Sequence, residues 1–550
     1  MTTTTLRPHL NKLLLASIFI ALSTSTILWT LRDRTPPPWD PSDHFRYAYD
    51  YYRLLGHADF SGFARDFFTT RHYYAPFVHL VSAGVFLVLG ASRLTGIAVN
   101  LLSLAALLWA VPWISRHVYA NSPLTLESRD TSVQPPVLLS VLPALIAVSY
   151  HSSAWLMHDA FLDFPLTAAV TVTFALLIRA DDFRVRSNAL AFAIAAGIGM
   201  LVKQTFAFFF VLPALYVVIR VLWTRDRRAI LNLALASLVF ILVAAIWYGP
   251  HWHDVIAIYR DNQQATVNEN EAPRFGFDSQ FFYLHALIGA QMQLPLAVIF
   301  TAGLVYSLLR CRKQSLILYL WILSGIACFT LVANKDARYT APVLPAAAII
   351  SVCWLREFKP RASTVQTTTR KAAGALKAVL VAAISAGAFV SFWSAQWPSA
   401  GWGTAVDAPR YRWKYYGFDH RPLDDDWSVP EIVDAVSKLQ TAPPPVLGVV
   451  VNLPYLNPSS VALYARLLTN QPAGAPLIDV RWIVEPSMID RIDDCDYILV
   501  RTGLDKADWA AFEREVEQLI RTNPDEFNLA ASFPIPVEEA KAVVYRRTKR

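Results

Sequence analysis

Apolar blocks alternate with short charged connectors from Leu13 to Trp393, and after Trp393 that alternation stops. Twelve blocks can be read, over residues 13–31, 74–90, 96–114, 137–150, 164–178, 189–202, 206–223, 230–248, 281–309, 316–332, 340–355 and 374–393. A helix needs about 20 predominantly apolar residues to cross a hydrocarbon core roughly 30 Å thick. The first block meets that length alone; the shorter ones fit only inside a bundle. Beyond Trp393, β-rich runs take turns with helical ones. Val446–Val451, Leu477–Val484 and Tyr497–Val500 read as strands, Pro458–Leu468 and Asp505–Ile520 as helices, and Phe527–Phe533 with Ala542–Tyr545 as a terminal hairpin. The pattern predicts a polytopic α-helical membrane module over residues 1–394 and a C-terminal soluble α/β domain over 395–550.

Composition removes the soluble alternative for the first part. The chain is 55% hydrophobic and 17% charged, where soluble proteins carry about 25% charge. The net charge of +7 does not point to nucleic acid, because Lys and Arg sit in connectors beside apolar blocks, where they act as topology signals. The strongly basic connectors are Arg179/Arg184/Arg186, Arg220/Arg225/Arg227/Arg228, Arg310/Arg312/Lys313 and Arg356/Lys359/Arg361/Arg370/Lys371. If all twelve blocks crossed, these four would lie outside. If block 74–90 does not cross, all four lie in the cytoplasm with Arg7 and Lys12. That block is short, contains His79 and follows a long aromatic, charged segment, so it is expected to lie along the outer membrane surface. Eleven spans then remain in a multi-pass protein of the cytoplasmic (inner) membrane. The N-terminus is cytoplasmic and the C-terminal domain extracytoplasmic. The N-terminal run is too long for a signal-peptide core and is read as an uncleaved first span. Four cysteines without a CxxC pair support neither a zinc knuckle nor a redox motif.

The eleven-span arrangement gathers the out-of-place polar residues on the outer side. In the first outer segment, residues 32–95, Asp40 and Asp43 lie just beyond the first span, followed by His44, Arg46 and Tyr47. A partly desolvated carboxylate can serve as a general base; equally, Asp43 suits the N-cap of a helix over Phe45–Leu55. His158, Asp159 and Asp163 lie between two blocks, with Pro165 suited to a first helical turn and Asp163 to its cap. Lys203 sits between two apolar runs, either as a snorkelling lysine or as a cation for phosphate. Lys335 and Arg338, beside Tyr339, are two cations where the positive-inside rule disfavours them; arginine grips phosphate oxygens bidentately and lysine as a point charge. In the loop over 250–280, His251, His253 and Asp254, with Glu269 and Glu271 further on, have a metal-like look without a recognisable spacing, so His251 and His253 are weak metal candidates. The sequence singles out no cofactor, and a divalent metal is an option.

This ordered series resembles the GT-C superfamily of membrane glycosyltransferases, in the branch with the lipid A aminoarabinose transferases and protein O-mannosyltransferases. Asp43-His44-Phe45-Arg46-Tyr47-Ala48 resembles its first-loop acidic motif. Tyr74–Gly90 resembles its juxtamembrane helix, and Leu162-Asp163-Phe164-Pro165-Leu166 its second acidic motif. Gly199–Lys203 is similar to its Gly-x-x-x-Lys turn. Lys335–Tyr339 with Pro342 and Pro345 is similar to its last polar element. Two departures matter. Tyr74 and Ala75 stand where the aminoarabinose enzymes carry an acid and a lysine, and Asp43-His44 stands where the protein mannosyltransferases carry Asp-Glu. The first argues against that particular sugar and its metal, the second against a protein acceptor. The resemblance implies inverting transfer from a polyprenyl-phosphate sugar to a glycan, lipid or protein acceptor. Asp43 would be the base, assisted by Asp163, with Lys203, Lys335 and Arg338 on the donor phosphate. Asp40, His44, Arg46, His158, Asp159 and Tyr339 are secondary candidates. The competing reading is a transporter or flippase of a lipid-linked or anionic solute. Such proteins are commonly built from internal repeats, and none is detected here.

Overall fold

The computed structural model describes residues 6–69, 74–120, 137–268, 273–357, 367–397, 420–439, 443–469, 476–503, 511–537 and 539–548. Helix α1 (Leu6–Arg32) leads into a proline run that ends it, and α2 (Trp39–Gly56) and α3 (Phe60–Thr69) follow. Next come α4 (Phe77–Leu89), α5 (Arg93–Gly96), α6 (Ala98–Ala120), α7 (Val137–Ser149), α8 (His151–Trp155), α9 (Asp163–Arg179) and α10 (Arg186–Val202). The remaining membrane helices are α11 (Val211–Thr224), α12 (Arg227–Asn268), α13 (Phe277–Ala286), α14 (Gln293–Arg310), α15 (Arg312–Thr330), α16 (Leu344–Ser351) and α17 (Thr367–Gln396).

Among the described residues, seven helical stretches are long and apolar enough to cross a membrane: His9–Arg32, Arg93–Tyr119, Arg227–Arg260, Phe277–Arg310, Arg312–Thr330, Ala337–Leu355 and Gly374–Gln396. Four shorter helices, α7, α9, α10 and α11, stand where the sequence predicts the other spans. Helix α4 has 13 residues, about 20 Å of rise, which is short of the hydrocarbon core. It packs along α2, with Phe45 and Phe86 ring centroids 5.1 Å apart.

Two segments differ from the sequence expectation. Residues 250–280 are not a loop throughout: α12 runs 42 residues to Asn268 with Pro250 inside it. That is about 63 Å, so α12 extends well past any bilayer. The extension is held because Trp247 is buried with Phe67 and Ala75 beneath α3. The block at 281–309 is not one regular helix either. A π-helical stretch, Leu287–Met292, interrupts it, and Gln293 beside it takes φ 59°. Buried Gln293 meets His151 at 2.6 Å, and Gln291 donates to the Thr340 hydroxyl at 2.9 Å. The irregular backbone therefore orients two buried amides, as π-bulges in helices often do at functional places.

The C-terminal part has helices α18 (Val429–Leu439), α19 (Pro458–Leu467) and α20 (Ala511–Thr522) around a five-stranded sheet. The strands are β1 (Val446–Val449), β2 (Asp479–Trp482), β3 (Tyr497–Thr502), β4 (Phe527–Pro534) and β5 (Lys541–Arg547), in the order β2-β1-β3-β5-β4. β1 pairs in parallel with β2 and β3, and β4 and β5 form the expected antiparallel hairpin. Parallel strands are buried on both faces, which is why β1 and β3 read as continuous apolar runs. Of the helix expected over Asp505–Ile520, residues 505–510 lie outside the described residues, and α20 accounts for the rest. Two clusters of buried side chains cover the two faces of the sheet.

Candidate active site

Pro36, Pro37 and Pro38 cannot continue α1, and the chain re-enters a helix at Trp39 with Pro38 as N-cap. That start corrects one expectation. Asp43 is not a helix cap; it lies on the second turn of α2, one turn from Asp40 and on the same side of the helix. Asp43 Oδ1 accepts from Arg46 Nη2 at 2.8 Å and Nε at 3.3 Å. Its Oδ2 accepts from Ser459 Oγ at 2.8 Å. Asp40 Oδ2 accepts from Arg338 Nη2 at 2.7 Å.

The second acid opens α9. Asp163 makes no cap either: its carboxylate faces α10, and Lys203 Nζ donates to Oδ1 at 2.7 Å. α9 and α10 are packed neighbours joined by a short connector, so the start of one meets the end of the other. Gly199 makes the end of α10 possible, since a Cβ there would stand 2.3 Å from the Phe206 ring. Arg338 lies in the short 3-10 helix Ala337–Val343, whose N-cap Asp336 accepts from the Arg338 backbone N–H and from Nε, both at 2.9 Å. Arg338 Nε is 3.9 Å from Asp163 Oδ2. The Tyr339 ring lies 5.2 Å from Lys203 Nζ. Asp163 is 1% exposed, Lys203 7% and Arg338 8%. Charges so buried must be paired, and here two cations, Lys203 and Arg338, face three carboxylates, Asp163, Asp40 and Asp336. The sequence-predicted Asp40, Asp163, Lys203, Arg338 and Tyr339 thus form one cluster, with Asp43 and Arg46 one turn away on α2.

Other candidates lie elsewhere. Lys335 Nζ donates to the carbonyls of Phe329, Thr330 and Val332 at 3.0, 2.7 and 2.6 Å. An ammonium has three N–H groups, and these three bonds clasp the C-terminal end of α15. His44 meets His79 across α2 and α4, Nδ1 to Nε2 at 3.1 Å. Burial, with the charges of Lys203 and Arg338, holds the His44 imidazole well below its ordinary value, so it is neutral. The cavity bounded by His44, Phe45, His79 and Phe161 is about 10 Å³, room for about one water. His251 Nε2 meets the Phe67 carbonyl at 2.8 Å and its Nδ1 the Asp254 carboxylate at 3.2 Å. His253 is exposed, and Glu269 and Glu271 lie outside the described residues. Among the described residues no three His, Cys, Asp or Glu side chains could hold a metal together.

His158 and Asp159 belong to a second buried centre, built on residues the sequence reading passed over. Arg93 Nη2 is 2.6 Å from Asp33 Oδ2 and 3.4 Å from Asp159 Oδ1. Asp33 also accepts from the Leu423 backbone N–H at 2.8 Å, which fastens the C-terminal part to the end of α1. His158 stacks on Trp29, centroids 4.0 Å apart. Burial, helped by the charges of His420, Arg93 and His151, pushes its imidazole down to about 3. A neutral buried imidazole gives stability that is complete above the unfolded value near 6.5 and is lost as pH falls toward 3. His158→Phe keeps the stacking and removes the proton uptake. Thermal midpoints in detergent at pH 7 and pH 5 are expected to show the wild type losing about 2 kcal/mol more than the variant.

The sequence profile of the Alg9-like mannosyltransferase family matches residues 137–402. The fold is similar to that of ArnT from Cupriavidus metallidurans in the apo state, at 15% identity, over 97% of this chain and 98% of that one, with a TM-score of 0.56. It is similar to the same protein bound to undecaprenyl phosphate, at 15% identity, over 96% and 97%, with a TM-score of 0.57. The arabinofuranosyltransferase AftD from Mycobacteria is similar at 14% identity over 97% of this chain and 40% of that one, with a TM-score of 0.50. No curated protein sequence matches the chain.

Proposed function

We propose that this chain, a membrane glycosyltransferase of the GT-C superfamily, transfers a sugar from a polyprenyl-phosphate donor to an acceptor hydroxyl, with inversion, at the outer face of the cytoplasmic membrane. The observation that carries the reading is the buried Asp163–Lys203–Arg338–Asp40 cluster, with Asp43 one turn along α2. The undecaprenyl phosphate bound by ArnT supports a donor lipid of that class.

In this reaction the acceptor oxygen bonds to the anomeric carbon while the bond from that carbon to the phosphate oxygen breaks. The acceptor proton passes to Asp43. The leaving phosphate monoester is already an acceptable anion, so it needs countercharge more than a proton, and buried donors supply that best. Lys203 and Arg338 are the countercharge. Asp163 holds both in place, and Lys335 braces the turn that carries Arg338. The cluster has no spare positive charge while Asp40 occupies Arg338, so the donor phosphate displaces Asp40 and takes its place. With eleven spans and a cytoplasmic N-terminus, Asp40 and Asp43 face the outer side, where the lipid donor is reached from the membrane. The transporter reading yields to the glycosyltransferase one. The test is incubation of the protein in nanodiscs with undecaprenyl-phosphate-linked mannose, arabinose or glucose and cell-envelope extract; protein-dependent release of undecaprenyl phosphate is expected.

A further inference from the structure

We propose that the C-terminal domain completes the active site through Ser459, a positioning residue that fixes the second oxygen of Asp43. The inference rests on the reading of Asp43 as the base.

Helix α2 lies between two bodies. The membrane module holds it through Asp40 and Arg338. The C-terminal part holds it from the other side at three polar points along its length: Trp39 Nε1 donates to Asn452 Oδ1 at 2.8 Å, Ser459 Oγ donates to Asp43 Oδ2 at 2.8 Å, and Arg466 is 3.5 Å from Asp50. Leu463 packs between them against Phe45, Ala48 and Phe86. Residues 39, 43 and 50 recur at helical spacing, so α19 runs along one face of α2.

Ser459 is not needed to build α19. The N-terminus of that helix is capped by Asn457, which accepts from the Ser460 backbone N–H at 3.0 Å, while the Ser460 hydroxyl accepts from the Asn457 backbone N–H at 3.0 Å. This reciprocal box satisfies the first turn locally. The hydroxyl of Ser459, a residue 1% exposed, is spent on Asp43 instead. A serine has one O–H to donate, and an ionised carboxylate has about four acceptor positions over its two oxygens. Arg46 fills Oδ1 with two N–H bonds, and Ser459 fixes Oδ2, which keeps an acceptor position for an incoming hydroxyl. The rotamer of the base is set before the acceptor arrives, and it is set jointly by two parts of the chain more than four hundred residues apart. Misplacing a reacting group by about 1 Å can lower rate roughly 100-fold.

The experiment measures kcat as release of undecaprenyl phosphate from whichever of the three undecaprenyl-phosphate sugars the wild type consumes, together with the affinity for undecaprenyl phosphate itself. Ser459→Ala is expected to lower kcat by roughly 10- to 100-fold and to leave undecaprenyl phosphate affinity within about twofold, because the phosphate end of the site is untouched. Ser459→Thr, which restores the hydroxyl, is expected to recover most of the rate. Arg466→Ala loosens the same seam without touching Asp43 and is expected to leave kcat within about twofold. If Arg466→Ala reproduces the loss, docking alone explains it and the proposal is overturned. If Ser459→Ala turns over at the wild-type rate while Asp43→Asn is inactive, Ser459 has no positioning role and the base stands without it. If Asp43→Asn is itself active, the base assignment fails and this proposal fails with it.

Discussion

Asp43→Asn is expected to lower transfer by roughly 10²- to 10⁴-fold, the usual contribution of a general base, with unchanged thermal stability and unchanged affinity for undecaprenyl phosphate. The amide is close to the carboxylate in shape, so α2 and its contacts to Arg46 and Ser459 can persist. What disappears is the group that accepts the acceptor proton. The cations proposed to hold the phosphate have other partners, Lys203 on Asp163 and Arg338 on Asp40 and Asp336. Binding and turnover should therefore separate cleanly. Asp43→Asn protein that binds lipid phosphate and transfers at the wild-type rate would remove Asp43 from the chemistry.

The second large effect concerns the same helix one turn earlier, with opposite signs for two partners. In the proposed mechanism Asp40 and the donor phosphate compete for Arg338. Asp40→Asn should bind undecaprenyl phosphate more tightly, by about tenfold for a net 1.4 kcal/mol, since the charge-assisted bond at 2.7 Å no longer has to be exchanged. Arg338→Met should bind it at least about tenfold more weakly, because it removes a bidentate phosphate partner and leaves Asp163 with Lys203 alone. Titration of each purified variant with undecaprenyl phosphate gives both values. Equal affinity in wild type, Asp40→Asn and Arg338→Met would mean that the phosphate binds elsewhere.

Much of this arrangement was legible in the chain, and its gaps have physical causes. The membrane helices were readable because lipid demands long apolar runs. The expectation that α4 does not cross was drawn from where positive charge lies; α4 has 13 residues, as α7 does. The β-rich runs of the C-terminal part gave β1, β3 and the hairpin, while α18 was passed over although Pro430 suits a first helical turn. At the site, Asp40, Asp163, Lys203 and Arg338 were all singled out, but which of them pair was not. Pairing across α9, α10 and a 3-10 turn is tertiary and leaves no local pattern. Lys335 and Arg338 stand three residues apart yet part company: Asp336 caps the 3-10 turn and aims Arg338 inward, while Lys335 folds back on α15. Asp159 and Asp163 diverge in the same way, since only Asp163 belongs to α9. His251 looked like a ligand because His251, His253 and Asp254 stand together in sequence; in a continuous α12 it is a strut beneath α3. Arg93 was not singled out, since nothing near it in sequence announces its bond to Asp33.

The most direct measurement supplies a doubly labelled undecaprenyl-phosphate sugar to the protein in sealed proteoliposomes with cell-envelope extract, following lipid and sugar labels separately and reading the anomeric configuration of the product. The expected result is protein-dependent release of undecaprenyl phosphate, with the sugar recovered on an acceptor in the inverted configuration. Movement of both labels together across the bilayer without cleavage, or a product that retains the donor's configuration, would contradict it.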